Sequence, residues 1–411
     1  MITFIHTADI HFGMENYGKI DPITGIHSRL LDFERALNFC IDYAIEHNVD
    51  FFLFSGDAYK TAHPSPTQQR LLLQCFLRLF KAEIPLVIVI GNHDNPLSFG
   101  KAHSLELFGQ LPVGGFHVIA KPTSLVVSTK NGPVQIVGIP WPSRTTLSLN
   151  NSSFQDAQAL TSYISKSVCS IIKDYAEKLN PDIPAVLAGH LTVSSGIFSG
   201  SEKRAIYGTD PLFLPSQLGI APFDYVALGH LHRHQNLNIG NNPPIVYSGS
   251  IERIDFGERK EDKGFCHVTI ENKKTSYQFI KTPQRPFLQV EVHLQPDDNQ
   301  TQTIISELKK HTLEGAVIKI LYHLPVGTKD TIDISAIQAA CANAQYVVGI
   351  FPIRQPEIKT RRASLKIDMD LPTLLNNYFL TKPELKDRRD VLLQKALKFQ
   401  QELEEKELEQ E

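Results

Sequence analysis

Short, continuous apolar runs alternate with longer amphipathic stretches over the first 280 residues. The runs are ITFI, DFFLFS, PLVIVI, AVLA and DYVAL. Because polar residues do not interrupt them, they are typical of strands buried on both faces of a sheet. Helical spacing of apolar residues predicts helices over Arg29–His47, Pro66–Lys81 and Phe154–Leu179. Alternation of strands and helices predicts an α/β layered core.

A proline-containing stretch divides the chain after three further predicted strands, Pro244–Tyr247, Phe265–Ile270 and Thr275–Ile280. The stretch is TPQRPF at 282–287, whose two prolines indicate a domain boundary. Beyond it, the runs QVEVHL, AVIKILYHL and YVVGIF alternate with helical stretches near Ile304 and Ile337. This order predicts a small β-α-β-α-β unit. The chain is helical in character from Leu371, and six of its last ten residues are glutamate.

These patterns predict three parts: a large α/β domain at 1–282, a small α+β capping domain at 285–362, and a helical tail at 371–411. The chain has 411 residues, with 42% hydrophobic and 21% charged, which excludes global disorder. Its longest aliphatic run, Leu86–Ile90, is too short to span a bilayer. The N-terminal sequence lacks the basic start of a signal peptide. We therefore expect a cytoplasmic protein with no membrane segment.

Residues that bind metals follow five of the predicted strands. The clusters are Asp9-Ile10-His11, Gly56-Asp57, Gly91-Asn92-His93-Asp94, Gly189-His190 and Gly229-His230-Leu231-His232. Each would lie at the carboxyl end of its strand, the edge where open α/β sheets place their sites. Five such clusters in order predict a shared site far more strongly than any single histidine does.

Seven of these residues offer oxygen or nitrogen ligands: Asp9, His11, Asp57, Asn92, His190, His230 and His232. Seven donors are too many for one tetrahedral ion and suit two divalent ions bridged by a carboxylate. The five cysteines are scattered and form no CxxC pair, so a thiolate zinc site is not expected. His6 and His234 fall outside the spacing, and we expect neither to be a ligand.

At these residues the sequence resembles the calcineurin-like metallophosphoesterases, whose pattern is D-x-H, G-D, G-N-H-[DE], G-H and G-H-x-H. Within that superfamily it resembles the SbcD-type DNA double-strand-break repair nucleases. The segments that carry this closer resemblance are HTADIHFG, the Arg29–Asp32 pair, PSPTQ and YSGSIERIDFGERKEDKGF. The resemblance implies a layered α-β-β-α sandwich over 1–282, with the capping domain and tail added to it.

The resemblance also implies a division of labour within the site. Asp9, His11, Asp57 and His232 would hold one ion. Asp57, Asn92, His190 and His230 would hold the other. The two ions, expected to be manganese, would activate a water that attacks phosphorus. His93 would act in catalysis from the rim, and Asp94 would fix its tautomer and orientation.

The function implied is a metal-dependent exonuclease and endonuclease that acts on double-strand ends and hairpins as a homodimer with an SbcC-type coiled-coil ATPase. Family members often carry a histidine or acidic residue where this chain has Lys60, which leaves the balance of exo- and endonuclease activity open. The homodimer would form through Pro66–Lys81 and His103–Phe108. Candidate DNA contacts are Arg144, Lys203, Arg204, Arg233, Arg253 and the KTRR run at 359–362.

Two other functions compete with this interpretation. The first is another metallophosphoesterase, acting on a small phosphodiester or a phosphoprotein; phosphatases of that class usually show GNHE where this chain has GNHD. The second is a scaffold without activity, which usually loses ligands, whereas this chain keeps all seven. In the tail, a heptad-like apolar seam predicts either packing on the small domain or docking of the ATPase. The seam consists of Leu385, Leu392, Ala396, Phe399 and Leu403.

Overall fold

The computed structural model describes residues 1–96, 101–111, 114–149, 154–200, 210–354, 370–380 and 382–408. Its strands are β1 Ile2–Thr7, β2 Phe51–Phe54, β3 Leu86–Val89, β4 Phe116–Ile119, β5 Thr123–Thr129, β6 Gly132–Ile139, β7 Ala185–His190, β8 Thr192–Val193, β9 Leu212–Phe213, β10 Tyr225–Gly229, β11 Gln235–Asn236, β12 Ile245–Tyr247, β13 Gly264–Glu271, β14 Lys274–Lys281, β15 Phe287–His293, β16 Val317–Leu324 and β17 Tyr346–Arg354.

The α-helices are α1 Ser28–Glu46, α2 Pro66–Lys81, α3 Glu106–Gln110, α4 Ala157–Ala176, α5 Pro215–Leu218, α6 Gln300–Leu308, α7 Ile334–Ala340, α8 Leu371–Leu380 and α9 Arg389–Leu408. Two short 3₁₀ helices, Phe256–Glu258 and Pro383–Arg388, complete the described elements. Among the described residues, no helix combines the length and the apolar character needed to cross a membrane.

Local sequence explains where the main helices begin. Helix α2 starts with a capping box, in which the Ser65 side chain accepts from the Gln68 backbone and Gln68 reaches back to Ser65. Pro66 occupies the first turn, where its missing N–H costs nothing. The side chain of Asp156 caps α4 by accepting from the Ala159 backbone.

Two six-stranded sheets form the centre of the fold. Their strand orders are β14-β13-β1-β2-β3-β4 and β11-β12-β10-β7-β6-β5. Strands β1 to β4 run parallel in the first sheet, and β6, β7, β10 and β12 run parallel in the second. The apolar inner faces of both sheets share one buried cluster. Helices α1 and α2 cover the first sheet and α4 covers the second, which confirms the expected α-β-β-α sandwich.

The elements after residue 286 follow the expected β-α-β-α-β order, with the strands arranged β15-β16-β17. The chain divides into two compact units. The first comprises Met1–Val292, Asn299–Tyr322 and Thr331–Phe351. The second comprises His293–Asp298, His323–Asp330 and Pro352–Glu411. The sandwich and most of β15 to β17 therefore belong to the first unit, and the tail helices belong to the second.

Within the first unit, the Arg29–Asp32 pair of the sequence pattern joins α1 to the start of the small sheet. Arg29 is fully buried and lies 2.8 Å from the Asp32 carboxylate, with its guanidinium 5.1 Å from the Phe287 ring. Arg285 also contacts Asp32, and its backbone N–H donates to Glu252. These buried charges are therefore structural rather than exposed to a substrate.

Candidate metal centre

All five sequence clusters meet at one edge of the sandwich. Strands β1, β2 and β3 are neighbours in one sheet, and β7 and β10 are neighbours in the other, so their carboxyl ends come together between the sheets. The loop after β1 is tied to the loop after β2, since the Asp9 and His11 backbone amides donate to the carbonyls of Gly56 and Asp57. The spatial convergence expected from the strand ends is thus present.

The backbone is strained where it carries these side chains. Four of the seven predicted ligands, Asp9, His11, Asp57 and His230, have positive φ angles of 54°, 53°, 59° and 103°. Non-glycine residues adopt such angles at a cost, and they concentrate at functional sites. Gly56 and Gly91 flank the ligands and leave no room for a side chain. A Cβ on Gly56 would lie 2.4 Å from His190 Nδ1, and one on Gly91 would lie 2.1 Å from Asp57 Oδ1.

The ligand atoms of the site lie within a few ångströms of one another. His11 Nε2 is 3.0 Å from His232 Nε2, and these two residues form one candidate group with Asp9. Asp57 forms a second candidate group with His190 and His230. Asp57 Oδ2 lies 3.7 Å from His11 Nε2 and 3.3 Å from His190 Nε2, so this carboxylate stands between the groups. That position fits a bridging ligand.

Asn92 completes the second group. Its Oδ1 lies 3.0 Å from His190 Nε2 and 3.2 Å from His230 Nδ1. The structure therefore brings together all seven residues named from the sequence, five of them fully buried and two partly buried. An oxygen and nitrogen set without sulfur suits hard or intermediate divalent ions.

The outward nitrogen of several histidines is fixed by a partner behind it. His190 Nδ1 lies 2.8 Å from the Ser55 carbonyl, which can only accept, so this nitrogen donates and Nε2 faces the site. His232 Nδ1 lies 2.8 Å from Glu258 Oε1. His230 has the reverse orientation, with Nδ1 facing inward and Nε2 3.4 Å from the Asp210 carboxylate. Such outer partners orient metal-ligating histidines.

A family model described as calcineurin-like phosphoesterase matches residues 2–234, more than half of the chain. The chain belongs to the calcineurin-like phosphoesterase family. Members of this family are hydrolases of phosphoester bonds, and the matched range contains all seven ligand residues. The expected superfamily and the expected class of chemistry are thus confirmed.

Two solved structures are similar to the chain over about two thirds of its length. One is the TT1561 protein of Thermus thermophilus, with 12% identity, 68% of this chain and 98% of that chain covered, and a TM-score of 0.38. The other is a dimetal phosphatase from Danio rerio, with 11% identity, 68% and 96% covered, and a TM-score of 0.41. At these scores neither carries an argument about substrate.

The pKa values of the buried ligand residues are also consistent with a metal centre. Burial is the largest influence on Asp9 and raises the pKa of its carboxyl to about 7. Burial alone would raise the pKa of Asp57 too, but His190, His93 and His11 outweigh it and hold that pKa well below its usual range. Burial lowers the pKa of His190, but Asp57 and Asp9 reverse this and raise it to about 9. Buried carboxylates packed this closely are stabilised by a cation.

His93 and Asp94 occupy different positions in the centre. His93 is 44% exposed at its side chain, and its Nε2 lies 4.0 Å from Asp57 Oδ2, at the open side of the site. Its Nδ1 donates to the Lys60 carbonyl at 2.7 Å. The role expected for Asp94 is therefore corrected: the tautomer of His93 is set by a backbone carbonyl of the loop after β2.

Asp94 instead binds the backbone of two loops. It is fully buried, and its oxygens accept from the amides of Asp57, Ala58, Tyr59 and Gly91 at 2.9, 3.0, 3.3 and 3.1 Å. His93 and Asp94 are adjacent in sequence, but their side chains point in different directions. At the end of β3, His93 points out to the rim and Asp94 points into the protein.

The DNA-contact candidates fall into three groups. Arg144 and Arg233 are exposed, and the Arg144 guanidinium lies 5.4 Å from the Phe154 ring. Arg253 is committed to structure, because it donates to the carbonyls of Arg285 and Glu261. Lys203, Arg204 and the run at 359–362 lie outside the described residues.

Sequence reasoning missed three residues around the centre. Glu258 and Asp210 contact the outward nitrogens of ligand histidines, and Trp141 lies with its ring 4.8 Å from that of His230. Trp141 follows β6, whose end lies beside that of β7. Its position at a strand end was the available signal. His6 and His234, expected to be non-ligands, contact Tyr225 and the Tyr247 carbonyl instead.

Proposed function

We propose that this phosphoesterase is an SbcD-type DNA nuclease that hydrolyses phosphodiester bonds at double-strand ends and hairpins in the cytoplasm, with two manganese ions and an SbcC-type ATPase. The observation that supports it most is the complete ligand set at one sheet edge, with His93 at its open side. The segment YSGSIERIDFGERKEDKGF adds support, since its Glu258 and Lys263 contact His232 of that ligand set.

Each residue has a defined task in this proposal. Asp9, His11, Asp57 and His232 would hold one ion, and Asp57, Asn92, His190 and His230 would hold the other. When bound, two divalent ions neutralise the charge of the phosphodiester and lower the pKa of a water nucleophile. The Lys60 carbonyl accepts from Nδ1–H of His93, so Nε2 faces the substrate. When Nε2 is protonated, it can donate that proton to the departing oxygen. Asp94 keeps the loops of Asp57 and His93 in register.

The experiment compares two classes of substrate, DNA and a small phosphodiester. Purified protein with Mn²⁺ is given an end-labelled DNA duplex, a DNA hairpin and, separately, a chromogenic small phosphodiester. We expect products from both DNA substrates, none with EDTA, and none with Asp57→Ala. Hydrolysis of the small phosphodiester without any cleavage of DNA would favour the alternative metallophosphoesterase and contradict the nuclease proposal.

The proposed homodimer would form through α2 and α3. On these helices Phe80 and Leu107 are 39% and 65% exposed. Leu107 also lines an apolar cavity together with Leu73, Phe108 and Leu111. Leu72 and Phe76, by contrast, are buried in the chain's own core. Light scattering should show a dimer at micromolar concentration for the wild type and a monomer for Leu107→Glu. The matched control Leu212→Glu changes an equally apolar residue that is 53% exposed elsewhere.

The proposed ATPase partner would dock on α9. In this helix Phe399 of the expected seam is 54% exposed. Leu385 lies in the preceding 3₁₀ helix Pro383–Arg388, so the seam does not run along a single helix as expected. The side chain of Leu403, the last residue of the expected seam, lies outside the described residues. Phe399→Glu should abolish co-purification with the ATPase while leaving the metal-dependent nuclease activity of the isolated chain intact. Lys398→Ala is the control. Tight binding of the ATPase by Phe399→Glu would contradict docking on this helix and favour a structural role for the tail.

A further inference from the structure

A buried ion pair lies behind the metal centre and belongs to none of the five metal motifs. Glu258 ends the 3₁₀ helix Phe256–Glu258, and Lys263 precedes β13. Their side chains are both 0% exposed, and Lys263 Nζ lies 2.9 Å from Glu258 Oε2. The attraction between two buried charges often does not exceed the free energy lost when both leave water. A contribution to stability is therefore a weak explanation for this ion pair.

The contacts of the pair converge on His232. Glu258 Oε1 accepts from His232 Nδ1 at 2.8 Å, and Oε2 accepts from the Ile254 amide at 2.8 Å. Lys263 Nζ donates to the His232 carbonyl at 3.0 Å. His232 is thus held at its ring and at its backbone by the same pair. Its other ring nitrogen, Nε2, lies 3.0 Å from His11 Nε2 in the site.

This arrangement differs from that of the other histidines whose Nδ1 is fixed. His190 and His93 donate to the neutral backbone carbonyls of Ser55 and Lys60. His232 donates to a carboxylate that an ammonium group contacts. Hydrogen bonds to a charged acceptor are about twice as strong as neutral ones, and a carboxylate behind a histidine makes it a more basic ligand.

We propose that Glu258 is a positioning residue that holds His232 as the Nδ1–H tautomer and thereby tightens the binding of one of the two ions, with Lys263 keeping the carboxylate in place. The inference rests on the metal centre of the proposed function and adds a residue that its ligand set does not contain. Glu258 is buried behind His232 and does not contact the substrate.

The substitution Glu258→Gln tests the tautomer directly. On one side of the new amide stand two donors, the Lys263 ammonium and the Ile254 N–H, so the amide oxygen turns toward them. The amide NH₂ then faces His232, which must accept at Nδ1 and carry its proton on Nε2. A protonated Nε2 cannot bind an ion. Lys263 keeps a carboxylate partner, because Glu261 Oε2 lies 3.2 Å from its Nζ.

The control Glu252→Gln distinguishes a role of Glu258 in metal binding from a purely structural role. Glu252 is also buried and accepts hydrogen bonds from the backbone amides of Arg253 and Arg285 at 2.7 and 2.9 Å, with Arg29 3.8 Å away. None of these partners is a predicted metal ligand. Both variants lose a buried carboxylate charge, so both should melt at a lower temperature than the wild type.

The measurement is calorimetric titration of Mn²⁺ into each metal-free protein. The wild type and Glu252→Gln should bind two ions with similar affinities. Glu258→Gln should bind one ion normally and the other about 10- to 100-fold more weakly, the usual effect of losing such an outer partner. If Glu258→Gln does not fold, the double variant Glu258→Gln/Lys263→Met removes both charges and should show the same weak ion.

Two unchanged affinities in the folded Glu258→Gln variant would overturn the inference, as would an equal loss in Glu252→Gln. The titration needs no substrate, so it is independent of DNA cleavage. A wild type that binds two ions without cutting DNA would refute the nuclease, while a weak second ion in Glu258→Gln would still support the role of Glu258. A wild type that does not bind two ions would overturn both.

Discussion

Asp94→Asn should destabilise the protein even though Asp94 is not a metal ligand. Its Oδ2 accepts from the amides of Asp57 and Gly91, and its Oδ1 accepts from those of Ala58 and Tyr59. All of these contacts are buried. In either orientation, the NH₂ group of asparagine faces two backbone N–H groups and cannot accept from them.

The size of the effect follows from those two donors. Leaving a buried donor without an acceptor costs about 1–3 kcal/mol, so two predict a loss of roughly 2–6 kcal/mol in the free energy of unfolding. A typical domain has only about 5–15 kcal/mol of stability, so the variant should remain folded but marginal. Asp94→Ala leaves all four amides without their acceptor and should fail to accumulate as soluble protein.

Urea denaturation measures this loss, followed by the fluorescence of Trp141, the single tryptophan of the chain. The matched control is Asp50→Asn. Asp50 is equally buried, but it accepts from the Thr3 amide on one oxygen and from the Thr129 hydroxyl on the other. An asparagine oxygen can serve Thr3 while its NH₂ donates to the Thr129 hydroxyl, so the expected cost is about 1 kcal/mol or less. Equal losses in the two variants would contradict this prediction.

Two further predictions concern histidines in and near the site. His93→Ala should keep both ions and its melting temperature, because the side chain is 44% exposed, yet lose about 10²- to 10⁴-fold in DNA cleavage rate; a wild-type rate would show that His93 has no catalytic role. Burial lowers the pKa of His6 to about 3, below its unfolded value of 6.5. The neutral ring therefore favours the folded state above pH 6.5, and that contribution falls as the pH drops toward 3. Between pH 6.5 and 5 the wild type should lose about 2 kcal/mol more than His6→Gln in urea denaturation. Parallel pH profiles would contradict this assignment.

The sequence predicts the site well because its ligands are tied to strand ends. A buried parallel strand can be recognised as a continuous apolar run, and the residue after it must lie at the carboxyl edge of the sheet. Asp9, Asp57, Asn92, His190 and His230 are each placed in this way, so their convergence needs no knowledge of the loops. The cap Ser65 with Pro66 likewise defines the start of α2 from local chemistry.

Strands β4 to β6 were not predicted, for a physical reason. Strand β5 alternates between exposed and half-buried residues over most of its length, and β6 contains Gly132, Pro133 and Gly138, which weaken a strand pattern. Gly138 is nevertheless required, because a Cβ there would lie 2.4 Å from the Ile119 side chain. Only the packing of the two sheets shows this.

The outer partners of the histidines could not be derived from spacing. Glu258 reaches His232 across 26 residues of chain, through a turn whose path depends on the packing of Phe256 against Tyr17 and Phe287. The partner of His93 is a backbone carbonyl, which any residue type at position 60 supplies. Contacts of this kind depend on loop geometry and leave no residue pattern in the sequence.

The central claim is that one carboxylate joins two metal positions. Asp57 Oδ2 faces the histidines of both groups, and its Oδ1 accepts from the His93 amide at 2.9 Å. Elemental analysis after loading with Mn²⁺ and desalting tests this most directly, with His6→Gln as a folded control expected to retain two ions per chain. We expect two ions in the wild type and at most one in Asp57→Ala, which should also be inactive. Two ions retained by Asp57→Ala would contradict it.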